Sequence, residues 1–181
     1  NGDIHTTNQN LAGLKTRDQA KTFIYALVYG AGDAKIGSVA GGGLNKGKEL
    51  KQTFFKNLPS LKILKEKVQK ASERGFLKGL DGRKIYVRSQ HAALNTLLQG
   101  GGAIAMKKAM CFLQALIKLN DIDAKFVANI HDEWQIEVPT EQADFVGELG
   151  VKSIERASEH FKMRCPLTGE YKIGENWYET H

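Results

Sequence analysis

Four side chains spaced by four residues, Arg17, Lys21, Tyr25 and Tyr29, bring together two cations and two phenols. On a helix this spacing drifts by ~40° per step, so all four share one face. A polyphosphate lying along Arg17 and Lys21, with a flat or sugar-like group beyond it on Tyr25, fits that face. Arg17 falls in the first turn, where unpaired N–H groups and the helix dipole already favour an anion. An amphipathic surface helix with a solvated basic side has the same pattern. His91, Asn95 and Gln99 form a second set, each one turn from the next, on what reads as a polar helix face. A third set, His131 and Asp132 followed by Glu133, lies between two stretches of strand character. An Asp in such a turn commonly satisfies the backbone.

The elements that carry these residues can be read in outline. Thr16 and Gln19 have capping-box spacing, so a helix starts at Arg17 and meets no Gly or Pro before Gly30. Ala20, Phe23, Ile24 and Leu27 form its apolar stripe. The segment before it, Asn1 to Lys15, is polar, and Asp3 to Thr7 reads as the end of one element and the cap of another. Asp33 is placed to cap a short helix reaching about Ala40, which Gly41-Gly42-Gly43 breaks. No Lys-Ser/Thr follows that triplet at Walker spacing, so it is not a phosphate loop. Two helices follow, Lys46 to Asn57 and Ser60 to Arg74, split at Pro59. Phe76 to Val87 reads as a hairpin turning at Asp81-Gly82. His91 to Asn120 is helical, interrupted or bent by Gly100-Gly101-Gly102. Lys125 to Ile130 and Glu133 to Val138 are two strands around a tight turn. A helix runs from Pro139 and Thr140 to about His160.

The 181 residues suit one ordinary domain or two small lobes. With 41% hydrophobic and 25% charged residues, the chain is globular in composition rather than disordered. Its net charge of +6 favours a polyanionic partner without naming one. Cys111 and Cys165 show no metal spacing, and a reducing compartment is the expectation. No apolar run approaches ~20 residues, so no membrane span is expected. There is no signal peptide and no initiator Met; the chain opens at Asn1 as a cut or processed piece would.

Arg-x-x-x-Lys-x-x-x-Tyr-x-x-x-Tyr-Gly, from Arg17 to Gly30, resembles motif B of family A DNA polymerases. Asp3-Ile4-His5-x-x-Thr resembles the segment that precedes it there. GLDGRKIYVRS, from Gly79 to Ser89, resembles the same region of phage replicative polymerases. HAALNTLLQ, from His91 to Gln99, and His131-Asp132-Glu133 between strands resemble two further family motifs, the last being motif C. The resemblance covers nearly the whole chain. It implies that His5, Arg17 and Lys21 hold the triphosphate of an incoming dNTP, with Tyr25 on its sugar and base. Tyr29, Gly30, His91, Asn95, Gln99 and His131 would then contact DNA. Many family members have Arg where His91 stands. Amide donors in the minor groove can check pair geometry without reading sequence, since purine N3 and pyrimidine O2 are acceptors in every pair.

In the family, the motif C aspartate, here Asp132, holds catalytic Mg2+, with Glu133 secondary. A second aspartate lies in motif A, just before the segment resembling Asp3 to Thr7, so this chain is expected to lack it. The thumb and any exonuclease are expected to be missing too. Gly174-x-Asn176-Trp177 and the final His181 resemble the family's ending, so the natural C-terminus is expected here. The implied fold is α+β: helical fingers (residues 1–88) and the C-terminal half of an antiparallel-sheet palm (89–181). The implied function is DNA synthesis on a primer-template, in the cytoplasm of a phage-infected bacterial cell. The primer 3′-hydroxyl attacks the α-phosphate, and Lys21 stabilises or protonates the departing pyrophosphate. A complementary fragment carrying motif A would complete a two-metal site, and the chain alone would not polymerise. Two alternatives remain at this level. One is a fragment of a single-subunit RNA polymerase, against which Glu133 and Asn176-Trp177 stand. The other is a non-catalytic DNA- or nucleotide-binding module.

Overall fold

Asp3 begins the first helix, α1 (Ile4–Ala12), by accepting from the N–H groups of His5 and Thr6. The computed structural model describes residues 3–180. The polar opening segment is thus a nine-residue helix rather than only a cap. Gly13 ends it at φ 68°, and the Leu14 N–H reaches back to the Gln9 carbonyl at 3.0 Å.

The helix α2 (Arg17–Val28) starts where Thr16 predicts, with the Gln19 N–H donating to the Thr16 hydroxyl at 3.2 Å. The return bond of the capping box is displaced by one residue. The Gln19 side chain accepts from the Lys15 N–H, not from that of Thr16. Ala20, Phe23 and Leu27 are buried as the stripe requires. Gly30, at φ 77°, closes the helix as a Schellman motif: its own N–H bonds the Leu27 carbonyl and that of Ala31 the Ala26 carbonyl.

Three more helices follow: α3 (Asp33–Ser38), α4 (Leu44–Asn57) and α5 (Pro59–Ser72). Asp33 is not the cap of α3; Gly32 holds that position, and Asp33 pairs instead with Lys51 at 2.7 Å. Pro59 sits in the first turn of α5, where its missing N–H costs nothing. The helices α3 and α4 cross at two glycines. A Cβ on Gly37 would lie 1.9 Å from the Gly43 carbonyl oxygen, and one on Gly47 would lie 1.8 Å from that of Asp33. Their core joins Leu14, Phe23, Ile36, Leu50 and Phe54. Phe23 meets Phe54 edge to face at 5.1 Å, and the Asn57 amide ties α4 to α1 through the Leu11 carbonyl.

The strands β1 (Phe76–Lys78) and β2 (Lys84–Tyr86) pair antiparallel around Asp81-Gly82, as the sequence predicts. A 3₁₀ turn at Gln90–Ala92 leads into α6 (Ala93–Leu119), whose 27 residues run without a break through Gly100, Gly101 and Gly102. Of the interruption or bend expected there, the interruption does not occur. Each helical glycine costs about 1 kcal/mol against Ala. Burial of Ile104, Ala105, Ala109 and Leu113 on the following turns offsets that cost.

The strands β3 (Lys125–Ile130) and β4 (Glu133–Glu137) form a second antiparallel pair, closed by Ile130 opposite Glu133. A bulge between Phe126 and Ala128 leaves Val127 unpaired and outward. A 3₁₀ turn at Thr140–Gln142 precedes α7 (Ala143–His160), and a single turn, α8 (Trp177–Thr180), lies near the end. Leu113, Ile117, Ile122, Val146 and Leu149 bury the inner side of this hairpin with Phe126, Trp134 and Ile136.

The fold is therefore α+β, with small antiparallel sheets among helices. It divides into two compact units. The first comprises Asn1–Lys78 and Lys84–Leu98, and the second Gly79–Arg83 and Gln99–His181. Among the described residues no helix is long and apolar enough to cross a membrane.

Candidate functional site

In the first unit, α2 presents the four-residue series as its spacing requires. Arg17, Lys21, Tyr25 and Tyr29 are all exposed, opposite the buried Ala20, Phe23 and Leu27. Beside Lys21, Tyr25 and Tyr29 lies an open hollow of about 490 Å³, also lined by Thr22, Ala26, Ala31 and Lys35. No hydrogen bond or ion pair among the described residues engages the ammonium of Lys21 or of Lys35. Two free cations and two phenols thus border one cleft. Lys35 comes from α3, across the Schellman turn at Gly30, so spacing along α2 gives no sign of it.

His5 lies in the first turn of α1, half-buried, with its ring 6.3 Å from that of Tyr25. Its Nδ1 is buried without a hydrogen-bond partner among the described residues. Arg17 is not free. Its Nε and Nη2 donate to the two carboxylate oxygens of Asp3 at 2.6 and 3.1 Å. The guanidinium, followed by the Thr6 hydroxyl, holds the Asp3 carboxyl well below the usual carboxylate range. In turn, Asp3 pushes Arg17 further up. A depressed acid contributes stability above its unfolded pKa and loses it only as pH falls through the folded one, so this pair is intact at neutral pH. The sequence reading singled out His5 and Arg17 but not the acid that joins them.

Gly30 and His91 are in van der Waals contact through the backbone, with the His91 carbonyl filling the space beside the Gly30 Cα. Asn95 is half-buried, and its Oδ1 is buried with no partner among the described residues. Such an unmet acceptor is uncommon in a folded chain. Gln99, one turn further along α6, is exposed and belongs to the second unit.

In the second unit, His131 and Asp132 form the two-residue turn between β3 and β4. His131 holds φ at 53°, a left-handed conformation that few non-glycine residues adopt. Asp132 is exposed, and no hydrogen bond or ion pair among the described residues engages its carboxylate. Glu133 is half-buried, and the Gln135 amide donates to its carboxylate. Asp132 has the hard oxygen donors that a divalent cation such as Mg2+ takes. Among the described residues no three His, Cys, Asp or Glu side chains cluster as a metal site. The donor set here therefore fits one anchor of a divalent ion, with the remaining ligands to come from elsewhere.

The sequence matches the family model described as DNA polymerase family A over residues 1–179. It is 44% identical over 187 residues to a DNA-directed DNA polymerase of Escherichia phage Phieco32, covering 99% of this chain and 30% of that relative. It is 43% identical over 203 residues to the DNA-directed DNA polymerase of Escherichia phage T7, covering 100% of this chain and 29% of that relative. The chain thus spans about three-tenths of the length of the curated relatives it matches. Among solved structures it resembles the POL domain of Pol1 from M. smegmatis, solved in complex with DNA primer-template and dNTP. That likeness has a TM-score of 0.76 at 21% identity, over 86% of this chain and 31% of the other.

Proposed function

Because the chain belongs to DNA polymerase family A, with phage polymerases among its relatives, we propose that it is the dNTP-binding and motif C portion of an enzyme of template-directed DNA synthesis. The observation that carries this reading is the exposed α2 face beside its open hollow, where Lys21 and Lys35 have no ion pair among the described residues and Tyr25 and Tyr29 stand next to them. On this reading the first unit is largely the fingers and the second the C-terminal part of the palm.

Each residue then has a definite task. Arg17, Lys21 and His5 hold the triphosphate, and Lys35 adds a positive charge at the same cleft. Tyr25 packs on the sugar and base. As the primer 3′-hydroxyl displaces pyrophosphate from the α-phosphate, Lys21 neutralises charge on the leaving group and is placed to protonate it. Tyr29, Gly30, His91, Asn95, Gln99 and His131 contact DNA, with the Asn95 and Gln99 amide N–H groups donating to the acceptors that every pair presents in the minor groove. Asp132 anchors divalent metal together with a motif A aspartate from outside this chain, and Glu133 is secondary. The metal, when bound, supplies Lewis acidity for the 3′-hydroxyl and for the leaving oxygen.

The test is reconstitution. Mixed with a family A segment carrying motif A and the thumb, the chain should extend a primer with Mg2+, and by itself it should not. Robust extension by the chain alone would refute the division of metal ligands. Failure of every such mixture to bind dNTP or primer-template would refute the reading as a whole.

A further inference from the structure

Asp3 holds Arg17 in a particular way. The carboxylate takes the Nε–H and one Nη2–H, that is, the side edge of the guanidinium, at 2.6 and 3.1 Å. Arg carries five N–H donors in a rigid fork. Two Nη1 donors and the second Nη2 donor are left over; that Nη2–H and one Nη1–H form the end edge, which is the edge suited to a bidentate phosphate. Arg17 is paired yet still 53% exposed at its side chain. The same carboxylate also caps α1 through the His5 and Thr6 N–H groups and accepts from the Thr6 hydroxyl. One side chain therefore fixes both the fork of Arg17 and the helix turn that carries His5.

We propose that Asp3 is a positioning residue for the incoming nucleotide: it clamps the side edge of Arg17 so that the end edge faces the triphosphate, in register with His5. This rests on the placement of Arg17 and His5 at the triphosphate given above. Net charge alone makes the opposite prediction. A carboxylate beside a triphosphate repels it, so removing that charge would tighten nucleotide binding. Positioning predicts weaker binding, because a freed Arg must be ordered again each time a nucleotide binds.

Asp3→Asn separates the two effects. Asn caps a helix as well as Asp does, so α1 is kept, while the charged clamp on Arg17 is lost. In the reconstituted polymerase with saturating primer-template, Asp3→Asn should raise the dNTP KM about three- to tenfold. Its kcat should stay within about twofold, and the protein should remain folded, with only a small drop in the thermal midpoint from the lost exposed ion pair. In an Arg17→Ala background the same substitution should add no further change in KM. If Arg17→Ala raises KM but Asp3→Asn leaves it unchanged or lowers it, the positioning role is overturned while Arg17 stays at the triphosphate. If Arg17→Ala leaves KM unchanged, Arg17 is not at the triphosphate, and the positioning role falls with that placement.

Discussion

The backbone carbonyl oxygen of His91 lies 2.3 Å from where a Cβ on Gly30 would be. Gly30 also holds φ at 77°, so two separate constraints exclude a side chain at this position. The contact joins the end of α2 to the turn before α6, which are sixty-one residues apart in sequence. It therefore holds the helix carrying Lys21 and Tyr25 against the segment carrying His91.

Gly30→Ala should destabilise the first unit by about 2–4 kcal/mol, part from the left-handed backbone and part from the collision with the His91 carbonyl. Denaturant unfolding measures it. A loss under about 0.5 kcal/mol would mean that this contact gives way easily.

Tyr25→Phe should leave the incorporation of ordinary dNTPs little changed and sharply reduce that of dideoxynucleotides. On the proposed function, the Tyr25 hydroxyl stands in for a missing 3′-hydroxyl as a hydrogen-bond partner near the triphosphate. An unmet hydrogen bond in a closed site costs roughly 1–3 kcal/mol, or about a five- to hundredfold change in rate. Competitive incorporation by the reconstituted enzyme gives the ratio directly. Unchanged selectivity would place Tyr25 away from the sugar.

Lys65 yields a prediction in pH. Burial, and then the charge of Lys51, push its ammonium below the usual lysine range, with Asp33 opposing them. A depressed base weakens the fold while it is charged, and the penalty disappears as pH rises from the folded pKa to the unfolded value near ~10.4. Lys65→Met should therefore raise the melting temperature by about 1–2 °C at pH 7. The gain should shrink steadily as pH approaches ~10.5. A gain that is constant with pH would assign the effect to packing on Phe55, whose ring lies 5.5 Å from the Lys65 ammonium.

What could be read in advance was what is local. Thr16 and Gln19 mark the start of α2, Pro59 divides α4 from α5, and alternation around His131-Asp132 gives the second hairpin. Each signal acts over a few residues. The features that escaped reading depend on contacts between segments. Asp3 meets Arg17 fourteen residues away. Lys35 reaches the α2 cleft only because the chain turns at Gly30. The close crossing of α3 and α4 at Gly37 and Gly47 gives no local sign either. At Gly100 to Gly102 local propensity argues for a break or a bend, and α6 runs through without a break, with buried packing on the turns that follow. The four-residue series on α2 was legible as a face, whereas its hollow and its partners were not.

On the proposed function, Asp132, at the turn between β3 and β4, is this chain's essential metal anchor for nucleotide addition. Single-turnover incorporation by the reconstituted polymerase carrying Asp132→Ala tests it most directly, with primer-template affinity measured on the same sample. Loss of a charge that acts on the transition state should lower the rate by about three or more orders of magnitude. DNA affinity should stay within about threefold of the parent. A rate close to that of the parent, with DNA still bound, would contradict the account.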